Sequence, residues 1–282
     1  MHQGAKVVFC DIDPTSFNID PDKLADKITN NTKAIMAVHL FGLCANMDAI
    51  KEVAPNIPII EDGACAAGAA YKNTPAGALG TIGCFSFHPR KSITTGEGGM
   101  VTTNDDFLAE KLSTLRNHGA SISEEQRHNG PRPYILPDFD VCGYNYRMTD
   151  LQGAVGIVQL AKLDRFINER AKWAQFYKEQ LKAITWLTCP SFSVDFSHGW
   201  QSFVLLIDEE KSPFSRNEIM EKLQEMGIST RPGTHAVHML GFYAKTYRIS
   251  PQDYPGARIA NDHSMSIPLH NRMTDEDYGY VV

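Results

Sequence analysis

The chain has no apolar run near the roughly 18 residues needed to cross a bilayer, so no membrane span is expected. Its opening residues, MHQGAKVVF, lack the basic start and long apolar core of a secretory signal. Basic charge is not in excess. The 27 Lys+Arg stand against 33 Asp+Glu, a net charge of −6, which argues against a nucleic-acid partner held through phosphates. None of the six cysteines forms a CxxC pair, and several lie in apolar runs, as Cys10 does in KVVFC and Cys84 in GCFSF. Reduced, buried thiols in a cytoplasmic protein are the expectation. His235 and His238, three apart in THAVH, have no cysteine cluster or acidic partner to complete a zinc set, so no metal is expected. GxxxxGK followed by Ser or Thr is absent, and no GxGxxG follows the first apolar run. Nucleotide hydrolysis and Rossmann dinucleotide binding therefore have no motif. There is no internal repeat or low-complexity tract.

What is present is a chain of 282 residues, 43% hydrophobic and 21% charged. That composition excludes disorder and a coiled-coil rod and suits one large domain or two modest ones. The first third alternates strand-like and helix-like segments. KVVFCDI (6–12), AIMAVHLFG (34–42) and IPII (57–60) are apolar runs that read as strands. Between them, Asp20 and Pro21 open a helix carrying Leu24 and Ile28, and Asn46 caps one carrying Met47, Ile50 and Val53. TIGCFSF (81–87) and GGMVTT (98–103) are two further strands, and Asn104 is placed to cap a helix with Leu108, Leu112 and Leu115. Such alternation implies βαβ units around a buried parallel sheet. Residues 119–145 read as an extended loop.

Thr149, with Gln152 three residues on, opens a long helix whose apolar stripe runs to about residue 182. Beyond it, FVLLI (203–207), ISTRP and MSIPLH (265–270) read as strands, and Ser215 with Glu218 caps a helix that Gly227 ends. The expected organisation is a large domain over 1–148, a connecting helix over 149–183 and a smaller α+β domain over 184–282. The abrupt first strand and the short helix from Thr274 suggest a chain cut at both ends.

Asp62 follows one apolar strand and Lys91 another, in FSFHPRKSITTGEGG (85–99). Ligands of open parallel sheets bind at the carboxyl ends of strands. Taken singly, Asp62 suits a turn and Lys91 a solvated surface. Together they suit pyridoxal phosphate: a lysine amine for a Schiff base and a carboxylate to keep the pyridine nitrogen protonated.

The segment IIEDGACAAGAAYKNTPAGALGTIGCFSFHPRKSITTGEGGMVTTND (59–105) closely resembles the signature of the DegT/StrS sugar aminotransferases. DIDPTSFNIDPDKL, VHLFG, LRNHG, GYNYRMTDLQGAVG and IPLH resemble family segments in the same order. The resemblance implies an α/β, fold-type-I enzyme with a mostly parallel central sheet flanked by helices and a smaller α+β domain. It implies pyridoxal 5′-phosphate as cofactor, with Lys91 as the Schiff-base lysine, Asp62 as partner of the pyridine nitrogen and Ser86 as a phosphate-binding hydroxyl. Asn145 matches an asparagine that reaches the cofactor of a neighbouring subunit, so a homodimer with a shared active site is implied. Arg231 and His235 lie where family members approach substrate. The implied substrates are a keto sugar linked to a nucleoside diphosphate and, as amino donor, glutamate.

Two departures accompany the resemblance. Cys65 stands where many relatives carry glutamine, and it can pack against the cofactor ring but is a poor hydrogen-bond partner. Relatives also begin well before the segment matching Lys6, with a Ser/Gly/Thr phosphate-binding turn and a stacking aromatic, and extend past the last helix. An alternative reading is therefore a cofactor-deficient fragment or a non-catalytic regulatory homologue of the same fold. A sugar dehydratase, the other rival, has histidine in place of the lysine, and Lys91 argues against it.

Overall fold

The computed structural model describes residues 1–282 apart from 124, 125, 127, 128, 131 and 133. The part of the expected 119–145 loop at those six positions lies outside the described residues. The first sheet is built from β1 (Ile35–Val38), β2 (Ile59–Asp62), β5 (Ile82–Ser86) and β6 (Gly99–Thr102), in that spatial order. β1, β2 and β5 run parallel, so their carboxyl ends gather at one edge. β6 returns antiparallel along β5 and places Gly99 opposite Ser86. Helices α1 (Pro21–Leu24) and α2 (Met47–Val53) contribute Leu24, Met47 and Ile50 to the core beside this sheet. Their caps match the sequence: Asp20 accepts from the Asp22 amide and Asn46 from the Ala49 amide.

A small ladder of β3 (Ala70–Tyr71), β4 (Thr74–Pro75) and β8 (Phe196–Ser197) stands apart from both larger sheets. The remaining strands, β7 (Leu187–Thr188), β9 (Phe203–Ile207), β10 (Arg231–Pro232) and β11 (Ser264–Ile267), form an antiparallel sheet in the order β10-β11-β9-β7. Its core joins Phe203, Leu205 and Met265 to Trp173, Tyr177 and Tyr278.

Four local expectations need correction. KVVFCDI forms no ladder among the described residues: only Ile12 bridges, to Ile19, and Val8 is exposed. It runs instead against an aromatic cluster, with Phe9 edge-on to Tyr243 at 5.3 Å and the Val7 amide donating to the Tyr247 hydroxyl. The cap of α3 (Asp106–Arg116) is Asp105, not Asn104; its carboxylate accepts from the Leu108 amide at 3.1 Å. ISTRP shortens to the two residues of β10, because only Arg231 and Pro232 pair with β11.

The stretch 149–183 is two helices, α4 (Asp150–Leu160) and α5 (Leu163–Leu181). The Thr149–Gln152 capping box forms. At Ala161 and Lys162, however, ψ rises to −13° and −6°, and the Lys162 amide bonds back to Gln159 in a tighter turn. The apolar periodicity carries across this break unaltered. Only α5 buries it: Trp173, Tyr177 and Leu181 are in the core, whereas Leu151, Ile157 and Leu160 of α4 are exposed.

Further on come α6 (Arg216–Glu225), α7 (Gly241–Tyr247), α8 (Pro255–His263) and α9 (Asp275–Val281). Ser215 with Glu218 and Thr274 with Asp277 form complete capping boxes, and Gly227 ends α6 at φ +79°. The first amides of α8 are met from the far end of the chain. Asp11 accepts from Gly256 at 2.9 Å and from Ala257 at 2.8 Å. The six cysteines are free, and among the described residues no helix is long and apolar enough to cross a membrane.

Candidate active site

The site grows from the parallel edge of the first sheet. Alternation along β2 sends Ile59 and Glu61 to the buried face and Ile60 and Asp62 to the other. Register places Asp62 beside Val38 on one side and Cys84 on the other. The chain then turns: Asp62 Oδ1 accepts from the Ala64 amide at 3.1 Å, while the Gly63 amide donates to the Cys84 carbonyl. Gly63 suits this turn because a Cβ there would stand 3.0 Å from the Phe85 ring. Burial, with the Asp62 and Glu61 carboxylates nearby, pushes the Cys84 thiol above its ordinary pKa.

Lys91 lies in the loop after β5, in a turn closed by its amide on the His88 carbonyl at 2.9 Å. Its Nζ reaches Cys65 Sγ at 3.3 Å. Ser86, the last residue of β5, accepts from the His88 amide. Asp62, Cys65, Ser86 and Lys91 are thus on the turns and strand ends of one sheet edge. Asn145, Arg231 and His235 are exposed and have no side-chain bond to that group among the described residues. Asn145 pairs through its backbone with Asn117, and Arg231 pairs with Ser266 of β11.

Beneath the site lies a polar pair that the sequence reading passed over. His39 and Glu61 are fully buried. The Ala45 amide donates to His39 Nδ1 at 3.0 Å, which leaves Nε2 to carry the proton toward Glu61 Oε2 at 2.9 Å. Oε2 also accepts from the Gly77 amide at 2.7 Å; Oε1 accepts from Leu79 at 2.8 Å and Gly80 at 2.5 Å. Burial alone would raise the Glu61 pKa; the bonds from His39, Gly80 and Gly77 outweigh it and hold the carboxyl below its ordinary value. The His39 amide donates to the Asp62 carbonyl at 3.0 Å, so this pair braces the strand end that carries Asp62. A signal was present: Glu61 shares the core-facing phase of β2 with Ile59.

A family model, the DegT/DnrJ/EryC1/StrS aminotransferase family, matches residues 1–282. The chain belongs to that family. It is 37% identical to the spore coat polysaccharide biosynthesis protein SpsC of Bacillus subtilis, over all of this chain and 73% of that protein. It is 36% identical to the GDP-perosamine synthase of Caulobacter vibrioides, over 99% of this chain and 72% of that one. Among solved structures, an aminotransferase from Psychrobacter cryohalolentis superposes with a TM-score of 0.91 at 30% identity, over 99% of this chain and 74% of that chain. The family and fold expected from the 59–105 segment are those found, and the enzyme is an aminotransferase dependent on pyridoxal phosphate.

The residues present fit that cofactor. Among the described residues Asp62 Oδ2 has no protein partner, and the only side chain that Lys91 Nζ meets is a thiol. A free carboxylate oxygen and a free amine at one sheet edge suit a group carrying a ring nitrogen and an aldehyde.

Proposed function

We propose that this aminotransferase moves an amino group, with glutamate as donor, onto a keto carbon of a sugar linked to a nucleoside diphosphate. The observation that carries the reading is Lys91 Nζ at the strand edge that ends in Asp62, 3.3 Å from Cys65 Sγ. Pyridoxal phosphate, when bound, supplies an electron sink for the electrons released at the substrate carbon. Asp62 would hold a proton on the ring nitrogen, Cys65 would pack against the ring, and the Ser86 hydroxyl would meet the phosphate. Lys91 would first anchor the aldehyde. Its free amine would then act as general base and acid, taking a proton from the substrate carbon and returning it.

Arg231 and His235, exposed on β10 and the loop after it, would approach the nucleotide sugar. We also infer a two-fold dimer in which Asn145 of the partner subunit completes the phosphate site. The exposed apolar residues Leu151, Ile157 and Leu160 on α4, which follows Asn145 closely, support a second copy on that side.

Borohydride reduction in the presence of pyridoxal phosphate, followed by peptide mapping, tests the central assignment. Lys91 should carry the label. A label on another lysine refutes the assignment, and no label at all supports a non-binding homologue. Lys91→Ala should abolish transamination and leave the melting temperature near that of the wild type, because Lys91 is not a core residue.

A further inference from the structure

Arg170 is an unusual member of the α5 stripe. It stands four residues after Phe166 and three before Trp173, so helical spacing turns it inward, and it is 9% exposed. Among the described residues no carboxylate lies within ion-pair distance of it. Its guanidinium donates instead to three neutral acceptors from separate parts of the chain. Nη1 donates to Ser92 Oγ at 3.0 Å and to the Trp200 carbonyl at 3.3 Å; Nε donates to Asn271 Oδ1 at 2.9 Å. Asn271 is itself fixed, because its amide nitrogen donates to Glu169 Oε2 and the Phe166 carbonyl.

Two of these partners bear on the lysine. Ser92 follows Lys91 directly and is buried. Trp200 belongs to a turn with a left-handed backbone, φ +48°, a conformation a bulky side chain holds only when its surroundings impose it. The next residue, Gln201, donates its side-chain amide to the Arg90 carbonyl at 3.3 Å. The same turn is locked to the short helical turn that follows β1, with the Gly199 amide on the Gly42 carbonyl at 2.8 Å and the Gln201 amide on the Phe41 carbonyl at 3.1 Å. The two residues flanking Lys91 are therefore held from one side by Arg170 and the Trp200–Gln201 turn. A buried cation in direct contact with no carboxylate, with Glu169 reaching it only through Asn271, is costly for stability alone.

We propose that Arg170 is a positioning residue for Lys91: bonded to Ser92 and to the strained Trp200 turn, it fixes the loop so that Nζ stays at the Cys65–Asp62 edge. The proposal rests on Lys91 being the reactive lysine. Arg170 touches neither cofactor nor substrate and acts through Ser92. A guanidinium is required because its fork reaches Asn271 and the Ser92–Trp200 pair at once, which a lysine ammonium does not do.

The test is the rate at which pyridoxal phosphate with borohydride labels Lys91 at limiting cofactor, with other surface lysines as internal reference and thermal melting in parallel. Ser92→Ala removes one hydroxyl and leaves the helix core untouched, so it remains folded even where Arg170→Lys does not. Ser92→Ala and Arg170→Lys should each slow labelling of Lys91 relative to the reference lysines by about tenfold or more, since ångström-scale misplacement of a reacting group costs on the order of a hundredfold. Ser92→Thr, which keeps the hydroxyl, should restore the rate. Wild-type-like labelling of Lys91 in both Ser92→Ala and Arg170→Lys overturns the positioning role while leaving the lysine assignment intact. A wild-type label on another lysine overturns that assignment and this role with it.

Discussion

Replacing Glu61 by Gln keeps the size of the side chain and reverses the hydrogen-bonding sense of one atom. In the native protein both carboxylate oxygens face two donors each: His39 Nε2 and Gly77 on Oε2, Leu79 and Gly80 on Oε1. Whichever oxygen becomes an amide nitrogen, it confronts two N–H groups. His39 cannot relieve the conflict by changing tautomer, because its Nδ1 is occupied by the Ala45 amide. Two bonds to a charged acceptor, about 1.5–3 kcal/mol each, are therefore lost together, for a destabilisation of roughly 3–6 kcal/mol. With a urea dependence of about 3 kcal/mol/M, the unfolding midpoint should fall by about 1 M or more, read by tryptophan fluorescence. A shift below about 0.3 M would refute the reasoning. The pH dependence adds a signature. A carboxyl held below its ordinary pKa of 4.5 stabilises the fold fully above that value and loses its contribution as pH falls through the depressed one. The gap between wild type and Glu61→Gln should therefore narrow in acid.

Asp62→Asn should cut turnover far more than it shifts the urea midpoint, since a neutral amide cannot stabilise a protonated ring nitrogen; near-normal turnover would leave Asp62 as a turn residue only. A cysteine pair engineered at Asn145 and Ser86 should cross-link two copies of the chain, and a chain that sediments as a monomer while fully active would rule out a shared site.

The elements with strong local signals were legible. Capping boxes at Thr149 and Ser215, the Asp20–Pro21 start and the apolar run that ends before Glu61 and Asp62 all depend on neighbours in sequence. The break at Ala161–Lys162 was not, because apolar periodicity registers phase and not ψ. KVVFCDI reads as a strand by composition, but ladder pairing needs a neighbouring edge, and its side chains meet aromatics instead. At the candidate site, the placement of Asp62 and Lys91 after neighbouring strands of one sheet was legible, and strand ends mark where ligands bind. Their supports were less so. Glu61 and Arg170 each sit in phase with apolar residues, where a charged side chain signals a buried role only once its partners, brought from distant parts of the chain, are known.

The bonds from Asp11 to Gly256 and Ala257 join groups 245 and 246 positions apart. Synthesis at about 5–20 residues per second separates the emergence of those partners by roughly 12–50 s. Through that interval the Asp11 carboxylate has no helix to cap, and the apolar segment that carries it is without its aromatic neighbours Tyr243 and Tyr247. Such remote closures raise contact order and slow folding. The early strands can pair during synthesis, but the last step of folding waits for the residues around Gly256, and until they emerge the segment around Phe9 is apolar surface open to a holding chaperone.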